Sequence, residues 1–177
     1  IVVKQAGGKL GVLGAYGAHA TILPSSLMEF SADYPGVWQR AIEEKTGGVA
    51  VFLAGGVGSH SPVPGEGGFA GTEKMGRALA AMVLERVSQT AMTNVVSLGM
   101  IGLDVALPPF NVRLSDGLRL RPWVAKKLLH RSDQTFLQVF RIDDALWVST
   151  PCDFSGELAL GIKNGFRARG KDVTITS

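Results

Sequence analysis

The chain has 177 residues, of which 46% are hydrophobic and 19% are charged, so it can bury a hydrophobic core. This composition excludes a disordered or low-complexity protein. The net charge of +3 comes from 18 basic and 15 acidic residues that no aromatic residues interleave, so we expect no nucleic-acid partner. The single cysteine, Cys152, excludes an internal disulfide framework and a multi-cysteine zinc site.

No apolar run reaches the roughly 18 residues that a membrane span needs. The chain begins at Ile1 rather than at Met, and it ends at Ser177 inside a predicted strand. These ends predict a fragment or a processed chain. The cysteine content is compatible with a cytoplasmic or a secreted location, and nothing in the pattern sets the oligomeric state.

Two strands are predicted at residues 1–5 and 9–16, joined by the hairpin-type breaker Ala6-Gly7-Gly8. The second strand leads into Gly17-Ala18-His19-Ala20-Thr21, which places His19 at a strand end. Local context leaves His19 either a structural or a functional histidine.

A helix is predicted from the segment Ser31-Ala32-Asp33-Tyr34-Pro35-Gly36 to about residue 45, with Asp33 as its N-cap. Residues 49–54 then form a continuous apolar run, which is typical of a central strand covered on both faces.

The loop Gly55-Gly56-Val57-Gly58-Ser59-His60-Ser61-Pro62 follows this strand directly. It presents three polar side chains just past a strand end, where open α/β sheets bind their ligands. The loop lacks the Lys-Ser or Lys-Thr pair of a phosphate-binding loop, so we exclude that function. A second loop rich in glycine and proline continues to residue 71, and Thr72 is predicted to cap a long helix.

The second half of the chain continues the alternation of strands and helices. Residues 95–107 predict one or two strands ended by Pro108-Pro109, and residues 119–130 predict a helix with His130 near its C-terminus. A hairpin is predicted at residues 135–142 and 145–149. It leads into Thr150-Pro151-Cys152-Asp153-Phe154-Ser155, a helix and a last strand at residues 173–176.

This alternation predicts one α/β domain over residues 1–177, with a layered mixed or mostly parallel sheet flanked by helices. Three strand ends carry polar groups, namely His19, the Ser59-His60-Ser61 loop and Asp153. Strand ends that meet at one edge would bring them together, and a histidine with a carboxylate can start a zinc site. Asp153 could equally be the N-cap of the helix that follows it.

Three segments of the chain resemble, in order, the neutral/alkaline (non-lysosomal) ceramidase family in its shorter bacterial ceramidase-like branch. They are residues 17–21 with 31–36, residues 55–62, and residues 150–155. The resemblance implies a zinc-dependent amidase that cleaves the N-acyl bond of a ceramide-like lipid. It also implies that residues 1–177 are the C-terminal part of a larger catalytic domain.

The resemblance implies a role for several residues. His19 and Asp153 occupy the positions of a zinc-binding histidine and a zinc-binding acid, and Ser61 that of the proposed nucleophile in a Gly-Asp-x-Ser-Pro motif. Ser59 replaces the aspartate of that motif, and Cys152-Asp153 replaces a Gly-Glu pair. Because Asp is one methylene shorter than Glu, a metal there could shift or bind more weakly.

Ser59 and His60 are expected to line the substrate site. Adjacent side chains on an extended chain point apart, so His60 is not evidence of a catalytic dyad with Ser61. Ser61 could attack the amide directly or position a zinc-activated water. The family's other zinc ligands, an earlier histidine and a later tyrosine, are expected before Ile1 and after Ser177.

Two alternatives stay open. The chain could belong to a hydrolase of another small amide or ester on the same scaffold, because a fold does not determine a substrate. It could also be a noncatalytic binding domain with a decayed site, in which Ser61 is a plain loop serine and Asp153 a helix cap.

Overall fold

The structure is a computed structural model that describes residues 1–63, 65–108, 111–129 and 132–177. In chain order its elements are β1 (Val2–Lys4), β2 (Leu10–Tyr16), α1 (Asp33–Thr46), β3 (Ala50–Ala54), α2 (Gly68–Gln89), β4 (Leu98–Ala106), β5 (Arg113–Ser115), β6 (Leu118–Arg119), α3 (Pro122–Leu129), β7 (Gln134–Ile142), β8 (Ala145–Ser149), α4 (Gly156–Arg167) and β9 (Asp172–Thr176). Pro109 and His130, predicted to end a strand and a helix, lie outside the described residues.

The strands of the described residues form two main mixed sheets and one small hairpin. The first sheet has the order β1-β2-β3, with β1 antiparallel and β3 parallel to β2. The second has the order β4-β7-β8-β9, in which only β8 and β9 run parallel. Strands β5 and β6 form the hairpin. The predicted α/β class with mixed sheets is therefore confirmed.

Strand β3 differs from its prediction. Among the described residues it pairs with β2 alone and so lies at the edge of its sheet. Val51 on this strand is 42% exposed, so the prediction of a central strand covered on both faces is wrong. A continuous apolar run indicates that the side chains favour burial, but it does not indicate how many strands pair with this one.

The end of β3 is joined to the end of β9 by Ser177. The Ser177 amide donates to the Ala54 carbonyl at 3.1 Å, and its hydroxyl donates to the Gly55 carbonyl at 2.8 Å. The same hydroxyl accepts from the Phe154 amide at 3.1 Å. We call these contacts of Ser177 the strand-end joint, because they connect the two main sheets where the polar loops begin.

Each main sheet has its own buried cluster. In the first, Trp38 and Ile42 of α1 pack on Val12 and Ala50, and the ring centroids of Trp38 and Phe52 lie 5.4 Å apart, edge to face. In the second, residues of α4 and β9 pack together; its buried members are Ala159, Val173 and Ile175. Burying each large apolar side chain contributes about 1.5–3 kcal/mol.

Helix starts are where the local sequence pattern was least informative. Helix α1 begins at Asp33 itself, so Asp33 is not the N-cap; its carboxylate instead bonds the Leu23 amide at 2.9 Å. Helix α2 begins at Gly68 rather than after Thr72, whose hydroxyl donates to the Phe69 carbonyl at 2.7 Å. Neither helix has a side-chain hydrogen bond at its N-cap, so the cap preference of Asp33 and Thr72 does not set where the helices start. No helix among the described residues is long and apolar enough to cross a bilayer.

Helices α1 and α2 pack closely at Gly76. A Cβ at this position would lie 2.5 Å from the Val37 Cβ and 2.7 Å from the Tyr34 carbonyl oxygen. We expect Gly76→Ala to lower the free energy of unfolding, because overpacking costs about 1–3 kcal/mol and outweighs the gain in helix propensity of about 1 kcal/mol. Urea denaturation measures this change.

Gly161→Ala in α4 is the matched control, since nothing lies within 4 Å of the added Cβ. It should raise the free energy of unfolding by about 0.5–1 kcal/mol. If Gly76→Ala instead raised the free energy of unfolding as Gly161→Ala does, the tight packing at Gly76 would be contradicted.

Candidate functional site

Backbone hydrogen bonds bring the three segments of the resemblance to one place. The Gly55 amide donates to the Tyr16 carbonyl at 2.8 Å, where β2 and β3 end. Further along, the His19 amide donates to the His60 carbonyl at 3.0 Å, and the Gly58 amide donates to the Phe154 carbonyl at 2.9 Å. Residues 17–19, 55–60 and 153–157 therefore lie side by side, as the strand-end reasoning predicted.

Close packing explains the glycines of the 55–62 loop. A Cβ on Gly58 would lie 2.1 Å from the Asp153 carbonyl oxygen, and a Cβ on Gly56 would lie 2.7 Å from the Ala159 Cβ. Glycine is the residue that allows one backbone to approach another this closely. The loop therefore lies directly against the start of α4.

The segment that carries His19 is anchored to the first turn of α1. The Tyr34 hydroxyl, fully buried, donates to the Ala18 carbonyl at 2.6 Å. Burial, together with the nearby Tyr16 and Asp33, raises the pKa of Tyr34 well above its usual range, so the phenol stays protonated and remains a donor. Asp33, also buried, accepts from the amides of Leu23 and Tyr34. These contacts fix the backbone on both sides of His19.

A cluster of polar side chains lies at the N-terminus of α4. The Ser59 hydroxyl donates to the Glu157 carboxylate and accepts from the Gly156 amide at 3.0 Å. Ser155 donates to the same carboxylate at 2.6 Å. These hydrogen bonds, first from Ser155 and then from Ser59, lower the pKa of Glu157 to about 2, with a smaller contribution from His60.

Sequence reasoning missed Glu157. Its only signal in the sequence is an acid in the first turn of a helix, which is commonly explained by the helix dipole. Its partner Ser59 is 98 positions away. No local pattern gives such a distant contact, so only the fold reveals it.

The predicted catalytic and metal-binding residues lie around this cluster with their side chains apart. Ser61 and Asp153 are exposed, and His19 is half-buried. No hydrogen bond or ion pair links the side chains of these three among the described residues. Asp153 is not the helix cap, because α4 begins at Gly156 with Ser155 at the N-cap position.

The predicted substrate-binding residues differ from each other. Ser59 is held by its hydrogen bonds to α4, whereas the exposed His60 packs against the start of that helix. A Cβ on Gly156 would lie 1.8 Å from His60 Nδ1, and this nitrogen is 3.5 Å from Ser59 Oγ. The His60 ring therefore lies beside Ser59 and the start of α4.

The side chains fit zinc in type but not in number. An imidazole and a carboxylate are both zinc donors, and a catalytic zinc site takes three protein ligands. Within the described part of the chain, no three His, Cys, Asp or Glu side chains lie together as a metal site requires. His19 and Asp153 could therefore hold zinc only together with a further ligand.

The fold and the site define an α/β protein whose polar groups converge at the ends of its parallel strand pairs. The chain is similar to the neutral ceramidase from Pseudomonas aeruginosa, with a TM-score of 0.72 and 17% sequence identity over 98% of this chain and 38% of that chain. It is also similar to a ceramidase complexed with C2, with a TM-score of 0.71 and 16% identity over 98% of this chain and 39% of the other.

The resemblance predicted from the three segments is thus confirmed at the level of the fold. The chain spans about two fifths of the length of the ceramidases it matches, at 38% and 39%. No family model and no curated protein matches the sequence.

The lowered pKa of Glu157 gives a testable pH dependence. We expect its carboxyl carbon to titrate near pH 2 by NMR, below the ordinary value of 4.5, and Ser155→Ala to raise that pKa by removing the largest cause. Because the folded-state pKa is the lower one, the stabilisation is complete above about pH 4.5 and is lost as the pH falls through 2.

Ser132→Ala is the control, because it removes a hydroxyl that accepts from the Gln134 amide and does not contact Glu157. It should leave the pKa of Glu157 unchanged. A midpoint near 4.5 in the unsubstituted protein would mean that the Ser59 and Ser155 hydrogen bonds to Glu157 are absent in solution.

Proposed function

We propose that the protein containing this chain is a zinc-dependent amide hydrolase that cleaves the N-acyl bond of a ceramide-like lipid. The observation that carries the proposal is the convergence of the three segments at the strand ends of a ceramidase fold. The active site would then lie at the junction of residues 17–23, 55–62 and 153–157.

In this proposal His19 and Asp153 are the zinc ligands of this chain, and a further ligand comes from outside residues 1–177. Zinc (Zn²⁺) would supply a Lewis acid that polarises the amide carbonyl and acidifies a bound water. Tyr34 and the His60 carbonyl hold the backbone that carries His19, so the point from which its imidazole extends is fixed. Such preorganisation supports metal binding without further ordering of the chain.

Ser61 is the proposed nucleophile. It lies at the end of the turn that Gly58 and Ser59 fasten to α4, and its exposed hydroxyl is free of hydrogen bonds among the described residues. A free, exposed hydroxyl could either attack the amide or orient a water. Ser59 and His60, beside it, would line the path of the substrate.

An apolar cavity of about 810 Å³ supports a substrate with a long alkyl chain. It lies between the two main sheets, and its walls include Leu13, Leu53, Met100, Phe140, Trp147 and Ser177. Ser177 also forms the strand-end joint, so the cavity adjoins the proposed site. Pockets that bind apolar ligands have such walls with a few polar groups.

Hydrolysis of a smaller amide or ester is the second candidate. The replacement of the motif's aspartate by Ser59 and of its Gly-Glu pair by Cys152-Asp153 favours it, because both changes fall in segments that form the proposed site. Comparing N-acylsphingosine with short N-acyl amides as substrates separates the two candidates. Preference for the long lipid by kcat/KM supports the ceramide-like substrate, and preference for the short amides supports the alternative.

Zinc analysis tests the metal. We expect stoichiometric zinc in the complete protein and a loss of zinc affinity of at least about tenfold in His19→Ala and in Asp153→Ala, measured by competition with a chelating dye. Asp144→Ala removes an exposed carboxylate on the distant β7–β8 turn and is the control that should keep zinc. A complete protein without zinc would instead indicate a noncatalytic binding domain.

Ser61→Ala tests the nucleophile. Loss of a covalent nucleophile should lower kcat by at least about 10³-fold. Loss of a residue that only positions water should lower it by roughly 10²-fold or less. An unchanged kcat with zinc still bound would contradict both roles of Ser61.

A further inference from the structure

We propose that Glu157 is a positioning residue of this site. Its carboxylate, bonded to Ser59, fastens the turn of residues 58–61 to the first turn of α4 and thereby sets the position of Ser61 relative to Asp153. The inference rests on the proposed function, because it gives Glu157 a part in the same site.

The Ser59 hydroxyl connects two separate parts of the chain. It has one proton, which it donates to Glu157, and its lone pairs accept the Gly156 amide at 3.0 Å. Ser59 follows β3 and its two partners open α4, 97 and 98 positions further along the chain. One side chain therefore crosslinks the loop of the first sheet to the helix of the second.

The Glu157 carboxylate orients the Ser59 hydroxyl in this crosslink. A hydrogen bond to an ionised acceptor is roughly twice as strong as one between neutral groups. Ser155 donates to the same carboxylate at 2.6 Å, so Glu157 is held from a second side. The exposed carboxylate also stands in the first turn of α4, where the helix dipole favours a negative charge. With Glu157 in place, the Ser59 proton points to the helix and its lone pairs remain available to Gly156.

The crosslink spans the residues expected to do the chemistry. Ser61 comes two residues after Ser59, and Asp153 four residues before Glu157. Backbone hydrogen bonds also hold this turn, from the Gly58 amide to the Phe154 carbonyl and from the His19 amide to the His60 carbonyl. Without Glu157 we expect the Ser59 hydroxyl to reorient and the turn to shift on α4.

A purely structural role for Glu157 makes a different prediction. If it only stabilised the helix N-terminus, its loss would lower stability without changing kcat in the folded protein. The chain offers a way to separate the two roles, because an aspartate at the exposed position 59 could accept the Gly156 amide itself. The negative charge would then move from the helix to the loop.

The test measures kcat, KM and zinc content of the complete protein with N-acylsphingosine as substrate. Glu157→Ala should lower kcat by roughly 10–100-fold, the effect of a misplacement of about 1 Å, with KM and zinc content unchanged. Glu157→Gln keeps an acceptor oxygen and should retain more of the activity. Asp144→Ala, which removes another exposed and hydrogen-bonded carboxylate, should have no effect.

The paired substitution is the decisive variant. Ser59→Asp alone places two carboxylates side by side and should lower kcat at least as much as Glu157→Ala does, since like charges in contact repel. The double variant S59D/E157A restores a single carboxylate that accepts the Gly156 amide. Its kcat should exceed that of both single variants by about tenfold, a strong positive coupling between neighbouring sites.

Two results would overturn the proposal: an unchanged kcat in folded Glu157→Ala, or a double variant no better than Ser59→Asp. Hydrogen exchange of the Gly156 amide provides a readout independent of activity. It should become faster in Glu157→Ala and slow again in the double variant. If the unsubstituted protein hydrolysed no amide, the proposed function would fail, and unchanged Gly156 exchange in Glu157→Ala would separately reject the crosslink.

Discussion

The strand-end joint is the contact on which the rest of the structure depends. Ser177 bonds the carbonyls of Ala54 and Gly55 on one side and the amide of Phe154 on the other. The two buried clusters lie apart, one under α1 and one under α4. The joint connects the sheets that carry them and sets the glycine loop against α4. The site exists because two separately packed units meet edge to edge at this point.

The local signals in the sequence were sufficient to predict most elements and the convergence of the three segments. The β1–β2 and β7–β8 hairpins follow from glycine or aspartate turns between apolar runs, and strand-end reasoning brought His19, the loop and Asp153 together. The start of α2 and the edge position of β3 depend on tertiary neighbours, which a local pattern does not contain. Glu157 was not predicted for the same reason, because its hydrogen-bond partner Ser59 is distant in sequence.

The departures from the ceramidase motif take on a clearer meaning in three dimensions. Ser59 stands where the motif has an acid, and the structure has the carboxylate of Glu157 hydrogen-bonded to that serine. A charge at this place is therefore retained, although it comes from α4. Asp153, in contrast, is exposed, and no other carboxylate among the described residues is hydrogen-bonded to it. The turn of residues 58–61 is thus held to α4 by a charged hydrogen bond, whereas the side chain of Asp153 is exposed.

The central claim is that close backbone packing holds the three segments as one site. The most direct test is amide hydrogen exchange in the complete protein carrying Gly58→Ala, whose Cβ would lie 2.1 Å from the Asp153 carbonyl oxygen. We predict faster exchange at both His19 and Gly156, which lie on opposite sides of the loop, and unchanged exchange at Val139 within β7. Wild-type exchange rates at His19 and Gly156 in this variant would contradict the claim.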